Sequence, residues 1–241
     1  RGGYGYSDVF SDDRNIEMIV NQTREALFQS GHQPPYVIVP HSLSGIEAIY
    51  WAQRYPNEVK AIIALDIGLP HEYADHKLGL TDSFMIKGMN LLTKIGFHRL
   101  APSAVYDPEV IKQSFLTEQE KKEFKAVSYK QIFNDNMKQE LLRSAENAEK
   151  SIALPLPKKT PILFLAAYTK ENKNSPFTKE SNRNYKKMAQ QLRHGEVKKV
   201  KGKHSLYLYA PDEIYRLATL FLNEQIKEEP AFSSKQERMI K

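Results

Sequence analysis

Tyr36-Val-Ile-Val-Pro-His-Ser-Leu-Ser-Gly45 runs from an extended, β-branched segment straight into a helical one. Tyr36 to Pro40 is rich in strand-forming side chains, whereas Ile46, Ile49 and Tyr50 recur at helical spacing beyond Gly45. Strand, tight turn with a serine at its apex, then helix is the local order that a nucleophile elbow needs. The turn must be sharp for the Ser42 hydroxyl to stand clear of the sheet. Residues two positions to either side must be small, because strand and helix nearly touch there. The N–H of Leu43 then points to where a tetrahedral oxyanion forms. A second reading of the same residues stays open, in which Ser42 or Ser44 only N-caps the helix.

A chain of 241 residues can bury a sizeable core, as one domain with an insertion or as two. Its 41% hydrophobic and 27% charged residues are those of a soluble globular protein. The net charge of +6 comes from lysines scattered along the chain, without an arginine-rich arm or a basic run with interleaved aromatics. Nucleic acid is therefore not an expected partner, since its footprint needs basic clustering on one face. Anionic membrane lipids stay open as a partner. The absence of cysteine excludes disulfides, thiolate catalysis and zinc–thiolate sites. No run of 18 apolar residues is present, so these residues hold no membrane span, and no signal peptide is visible.

Outward from the serine turn, the chain alternates. Arg1 to Asp8 is a glycine-rich loop without an initiating methionine. Asp12 and Asp13 precede Ile16, Ile19, Val20 and Leu27, a helical spacing with acids at its N-terminus, closed by Gly31. Val59 to Asp66 is a near-continuous apolar run, as in a parallel strand covered on both faces. Helical patterns alone then follow, over Phe84–Ile95, Glu118–Tyr129 and Asn134–Ile152. The first carries Met85, Ile86, Met89, Leu92 and Ile95, a stripe expected to be the packed face of a helix, or else to line a lipophilic pocket or touch a membrane. Strand–helix alternation resumes with Ile162–Ala167, Glu180–Leu192, Glu196–Lys201 and a last helix from Ile214 to Ile226, before a polar tail from Glu228. An α/β fold follows, with a mostly parallel sheet flanked by helices: core at 1–67 and 158–241, helical insertion at 68–157.

A serine nucleophile needs a base, and the base an orienting group. Of seven histidines, His32, His98 and His194 sit in loops or near helix ends, and His41 is expected to point away from Ser42 because neighbours on an elbow diverge. His71 and His76, with Glu72 and Asp75, lack the spacing and context of a metal site. His204 follows the last strand, behind Gly202 and Lys203. Loops after parallel strands gather at one sheet edge, where Ser42 also lies, so His204 is the expected base.

Gly3-Tyr-Gly-Tyr-Ser-Asp8, Pro40-His-Ser-Leu-Ser44 and Gly202-Lys-His204 together resemble three loops of the α/β-hydrolase fold, in its capped subgroup of small esterases, epoxide hydrolases, dehalogenases and peptidases. The block at 68–157 is similar to that subgroup's helical cap. The resemblance implies a cofactor-independent serine hydrolase with Ser42 as nucleophile, His204 as base and Leu43 N–H at the oxyanion. Its substrate would be a small lipophilic ester or thioester. A cofactor-free haloperoxidase-like activity would use the same residues. A catalytically quiet ligand-binding or signalling protein on this fold is the alternative. Three departures stand out. Pro40 and Ser44 replace the elbow's usual glycines. Where the family places its acid, Lys170 stands beside Glu171, so Asp66 at the end of the preceding strand is the favoured acid and Glu171 the alternative. Finally, only 41 residues precede Ser42, too few for the strands that the family carries there. The chain is therefore expected to be the C-terminal part of a longer protein, cytoplasmic or held at a membrane by an upstream anchor.

Overall fold

The computed structural model describes residues 1–10, 13–75, 78–100, 105–106, 108–113 and 116–228. The expected strands form in one parallel sheet, ordered β1 (Tyr36–Ile38), β2 (Val59–Leu65), β3 (Ile162–Tyr168) and β4 (Gly195–Lys201). Ile62 pairs with Ile162 and Leu65 with Leu165, while Ile162 pairs with Gly195 and Tyr168 with Lys201. β2 and β3 are apolar almost throughout because both of their faces are covered, as parallel pairing through crossover connections requires. β4 carries Glu196, Lys198, Lys199 and Lys201, and its lysines fit an edge position. Among the described residues β1 forms the other edge, with Val37 and Val39 exposed.

The chain divides into two compact units. One comprises Pro35–Ser42, Pro56–Ile67 and Pro157–Lys241, and contains the sheet. On one sheet face Ile63, Leu65, Leu163 and Leu165 pack with Phe221, Leu217 and Leu222 of α10 (Pro211–Glu228) and with Leu206 of the short α9 (Leu206–Tyr209). On the other, Phe164 stacks on Tyr185 of α8 (Pro176–Ala189) with ring centroids 5.2 Å apart, and the Tyr185 hydroxyl donates to the Ile67 carbonyl. Each such buried aliphatic or aromatic side chain stabilises the unit by ~1.5–3 kcal/mol. That burial keeps the strand ends, and the loops leaving them, in register.

The other unit comprises Arg1–Pro34, Leu43–Tyr55 and Gly68–Leu156. It holds α1 (Ile16–Gln29), α2 (Ser44–Arg54), α3 (Pro70–Ala74), α4 (Leu80–Lys94), α5 (Glu118–Gln131), α6 (Asp135–Leu142) and α7 (Ser144–Ile152). The Asn15 side chain caps α1 through the Met18 N–H, and Gly31 at φ +82° closes the helix from the left-handed region. Of the two acids expected at the start of this helix, Asp12 lies outside the described residues. The single helix expected over Asn134–Ile152 is two helices. The chain leaves helical geometry at Arg143 (φ −97°, ψ 3°), whose guanidinium pairs with Asp13 and Glu146. An apolar pattern persists through such a break, so periodicity alone cannot register it.

Charged side chains hold this unit together internally. Arg14, 1% exposed, donates through Nε and Nη2 to Glu140, itself 2% exposed, at 3.0 and 2.6 Å. Arg1 and the Tyr4 hydroxyl reach the other Glu140 oxygen, each at 2.6 Å, and Arg1 also pairs with Glu47 of α2. Both guanidinium ions thus find carboxylates, the condition under which buried charge is tolerated. Gly3 at φ +79° sits against Asn136, where a Cβ would come within 2.8 Å of the Asn136 Cβ, and its carbonyl accepts from Asn134. The glycine-rich loop is thereby tied to α6.

The stripe on α4 does not form a packed face. Only Ile86 of that set is buried, while Met85, Met89, Leu92 and Ile95 are exposed. The polar side of the helix packs instead. Asn90 is buried, donates to the Phe133 carbonyl at 2.7 Å and accepts from Lys138. Among the described residues no helix is long and apolar enough to cross a membrane.

Candidate active site

Three strand ends in the sheet-bearing unit converge on one set of polar groups. The chain passes from β1 through Pro40, whose carbonyl accepts the Leu65 N–H at 2.9 Å, and His41 bridges in parallel to Leu65. This continuation of β1 carries His41 and Ser42 alongside the end of β2. Pro40, without an N–H, costs the ladder nothing here because its carbonyl makes the bond. Ser42 then adopts φ +56°. A serine in the left-handed region is uncommon and marks a backbone held against its preference, as at the apex of a strained turn. The helix that follows has Leu43 at its N-cap position, and the Leu43 side chain makes no capping bond.

Asp66 follows β2 with φ +45°. Its N–H donates to Leu165, and its Oδ1 accepts the Ala167 N–H at 2.9 Å. With one oxygen held by β3, the carboxylate directs Oδ2 at His204 Nδ1, 2.8 Å away. A carboxylate only accepts, so Nδ1 carries the proton and Nε2 is left with the lone pair of a base. This tautomer is the one a general base needs.

His204 reaches that position from the turn after β4. The Gly202 N–H donates to Tyr168, and a Cβ at Gly202 would come within 3.0 Å of the Tyr209 Cβ and 3.1 Å of Leu206 Cδ2. The close approach of this turn to α9 therefore calls for glycine. His204 and Asp66 side chains are 56% and 22% exposed, so the pair opens to solvent on the imidazole side.

His41 packs against the His204 turn. Its Nε2 lies 3.0 Å from the His204 carbonyl, and the two rings are 4.5 Å apart at 45°. The carbonyl can only accept, so His41 Nε2 carries the proton. The Tyr207 ring packs edge-on at 5.3 Å. Burial, then the nearby charge of His204, hold His41 below its ordinary pKa, against opposing contributions from the His204 carbonyl and Asp66. His41 is therefore neutral at pH 7 and anchors the backbone of the His204 turn. Nothing in local periodicity signals this role, because it depends on which strand lies beside β1.

Glu171, the alternative acid, is bound by Thr169, which with the Glu171 backbone N–H keeps its pKa low; among the described residues it makes no hydrogen bond to His204. The structure thus joins His204 to Asp66 and not to Glu171. No hydrogen bond joins Ser42 to His204 among the described residues. Leu43 contributes the peptide N–H directly after Ser42. Glu72 turns back to accept the Leu69 N–H at 2.9 Å, and His76 lies outside the described residues.

No family model matches the chain. The uncharacterized protein YbdG of Bacillus subtilis is 52% identical over 224 residues, which cover 93% of this chain and 69% of YbdG. Among solved structures, bromoperoxidase from Bacillus anthracis superposes with a TM-score of 0.62 at 13% identity, over 92% of this chain and 79% of that one. MenH from S. aureus does so with a TM-score of 0.59 at 16% identity, over 92% and 81%. At such identities the likeness to the two structures is one of fold.

Proposed function

We propose that this chain, which has the α/β-hydrolase fold and belongs to one family with YbdG of Bacillus subtilis, is a serine hydrolase of carboxylic esters or thioesters. In this reading the Ser42 hydroxyl attacks the substrate carbonyl carbon and passes its proton to His204 Nε2. Negative charge on the carbonyl oxygen is met by the Leu43 N–H. The tetrahedral adduct collapses, the carbon–oxygen or carbon–sulfur bond to the leaving group breaks, and the alcohol or thiol takes the proton from His204. A water molecule then gives a proton to His204 and attacks the acyl–Ser42 ester. Collapse frees the acid and returns the proton to Ser42. Asp66 holds the imidazole in the reactive tautomer and offsets its positive charge in both steps. No cofactor enters the scheme.

The observation that carries the reading is the 2.8 Å contact from His204 Nδ1 to Asp66 Oδ2, which leaves Nε2 as the accepting nitrogen. Ser42 supports it through its left-handed backbone. A second reading, a ligand-binding or signalling protein without turnover, is favoured by the lack of a Ser42–His204 hydrogen bond among the described residues. Labelling with a fluorophosphonate probe separates the two. Wild-type protein is expected to label and Ser42→Ala not to label. A folded wild-type protein that stays unlabelled would select the binding protein.

A further inference from the structure

α4 is an amphipathic helix packed with its polar side inward. At about 100° per residue, Leu80, Leu91, Phe84, Ile95, Leu92, Met85 and Met89 sweep an arc of about 180°. All of them are exposed, Leu80 by 93%, Phe84 by 79% and Ile95 by 69%. Exposed apolar side chains continue beyond the helix at Phe97 and Leu100. Ile86 and Asn90 hold the opposite side against the protein. So large and continuous an apolar surface marks a binding face rather than scattered exposure.

We infer that this face docks on an anionic phospholipid surface. Three observations select that occupant. The arc is far wider than the narrow seam a helix shows to a partner helix, and suits a planar apolar medium. Lys87 lies on the helix where the apolar arc meets the packed side, the position from which a lysine reaches lipid headgroups while its stem lies in the apolar layer. Beside the end of α4, a cleft of about 580 Å³ is lined by Lys94, His98, Arg99 and Lys130, with Asp135 as the one carboxylate in its lining. Asp135 is itself matched by Lys94 and Lys138, which leaves Arg99 and Lys130 to meet a phosphate or carboxylate headgroup. Lys87 and Arg99 have no carboxylate partner among the described residues. The helix lies on such a surface rather than crossing it, since no helix among the described residues is built to span. The inference goes beyond the hydrolase reading and holds whether or not Ser42 turns over substrate.

The test is co-sedimentation of the full chain with phosphatidylcholine vesicles, with and without phosphatidylserine, alongside sedimentation equilibrium without lipid. Binding is expected only with phosphatidylserine, and is expected to weaken as salt rises from about 0.1 M to about 1 M. Leu80→Ser/Phe84→Ser/Ile95→Ser should lower partitioning about tenfold for each side chain removed from the lipid. Lys87→Gln/Arg99→Gln should lower it about fivefold for each charge. Because these side chains are exposed, the variants should keep the wild-type thermal transition. If the triple variant does not, the single Leu80→Ser variant replaces it. No binding to phosphatidylserine vesicles, equal binding to neutral ones, or binding unmoved by the variants would each overturn the inference. So would a wild-type dimer that the triple variant dissociates while lipid binding is absent, which would assign the face to a second copy.

Discussion

Replacing Asp66 with asparagine isolates what the carboxylate does for His204, and the structure says which way the new amide turns. Asp66 Oδ1 accepts the Ala167 N–H at 2.9 Å, and an amide can fill that place only with its oxygen. The NH₂ of the substituted side chain is then aimed at His204 Nδ1, where Oδ2 sits at 2.8 Å in the wild type. A donor facing Nδ1 moves the imidazole proton to Nε2, and the base loses the lone pair it would use toward Ser42. The lost charge adds to this. A carboxylate about 4 Å from an imidazolium is worth about 4 kcal/mol at an effective dielectric of 20. With His204 56% exposed, screening halves this to ~2 kcal/mol, or about 30-fold in rate. Together with the inverted tautomer, Asp66→Asn should slow fluorophosphonate labelling by about 10²- to 10³-fold. Folding should survive, since asparagine tolerates the left-handed φ of +45° at this position as well as aspartate does. Glu171→Gln should label within about twofold of wild type. An Asp66→Asn protein that labels at the wild-type rate, or a Glu171→Gln protein that loses labelling, would refute the assignment.

Two further outcomes test the surroundings of the site. His41→Phe keeps a ring against Tyr207 but removes the donor to the His204 carbonyl, and should slow labelling about fivefold to tenfold, consistent with one lost hydrogen bond of about 1–1.5 kcal/mol. Because His41 titrates below its ordinary 6.5, the neutral form is the one the fold favours. Its contribution is present above pH ~6.5 and is lost as pH falls through its lower folded value, so wild-type thermal stability should fall over that range more steeply than that of His41→Phe. In the helical unit, Glu140→Ala would leave Arg14 buried without a carboxylate partner among the described residues and should cost ~3–5 kcal/mol. A thermal transition lowered by roughly 10 °C would be the sign, and an unchanged one would show that water or another group replaces the carboxylate.

The strands at Val59–Leu65 and Ile162–Tyr168, the helices between and after them, and the serine turn at Ser42 follow from the sequence itself. Side-chain period and β-branching act within a few residues, where the chain is its own context. The pairing of His204 with an acid at a strand end follows as well, once parallel strands are inferred, because loops after such strands share one edge. Which acid it is depends on distance through space. Asp66 and Glu171 both lie just after strands, and only the register that binds Asp66 Oδ1 to Ala167 turns one of them toward the imidazole. His41 is the same kind of case, since its partner lies 163 positions away. The break at Arg143 and the outward apolar face of α4 lie beyond a periodicity argument for a further reason. A pattern reveals that a helix has two faces, but not which of them the protein covers. On α4 the choice was made by Asn90 and Phe133, and it left the apolar side for something else.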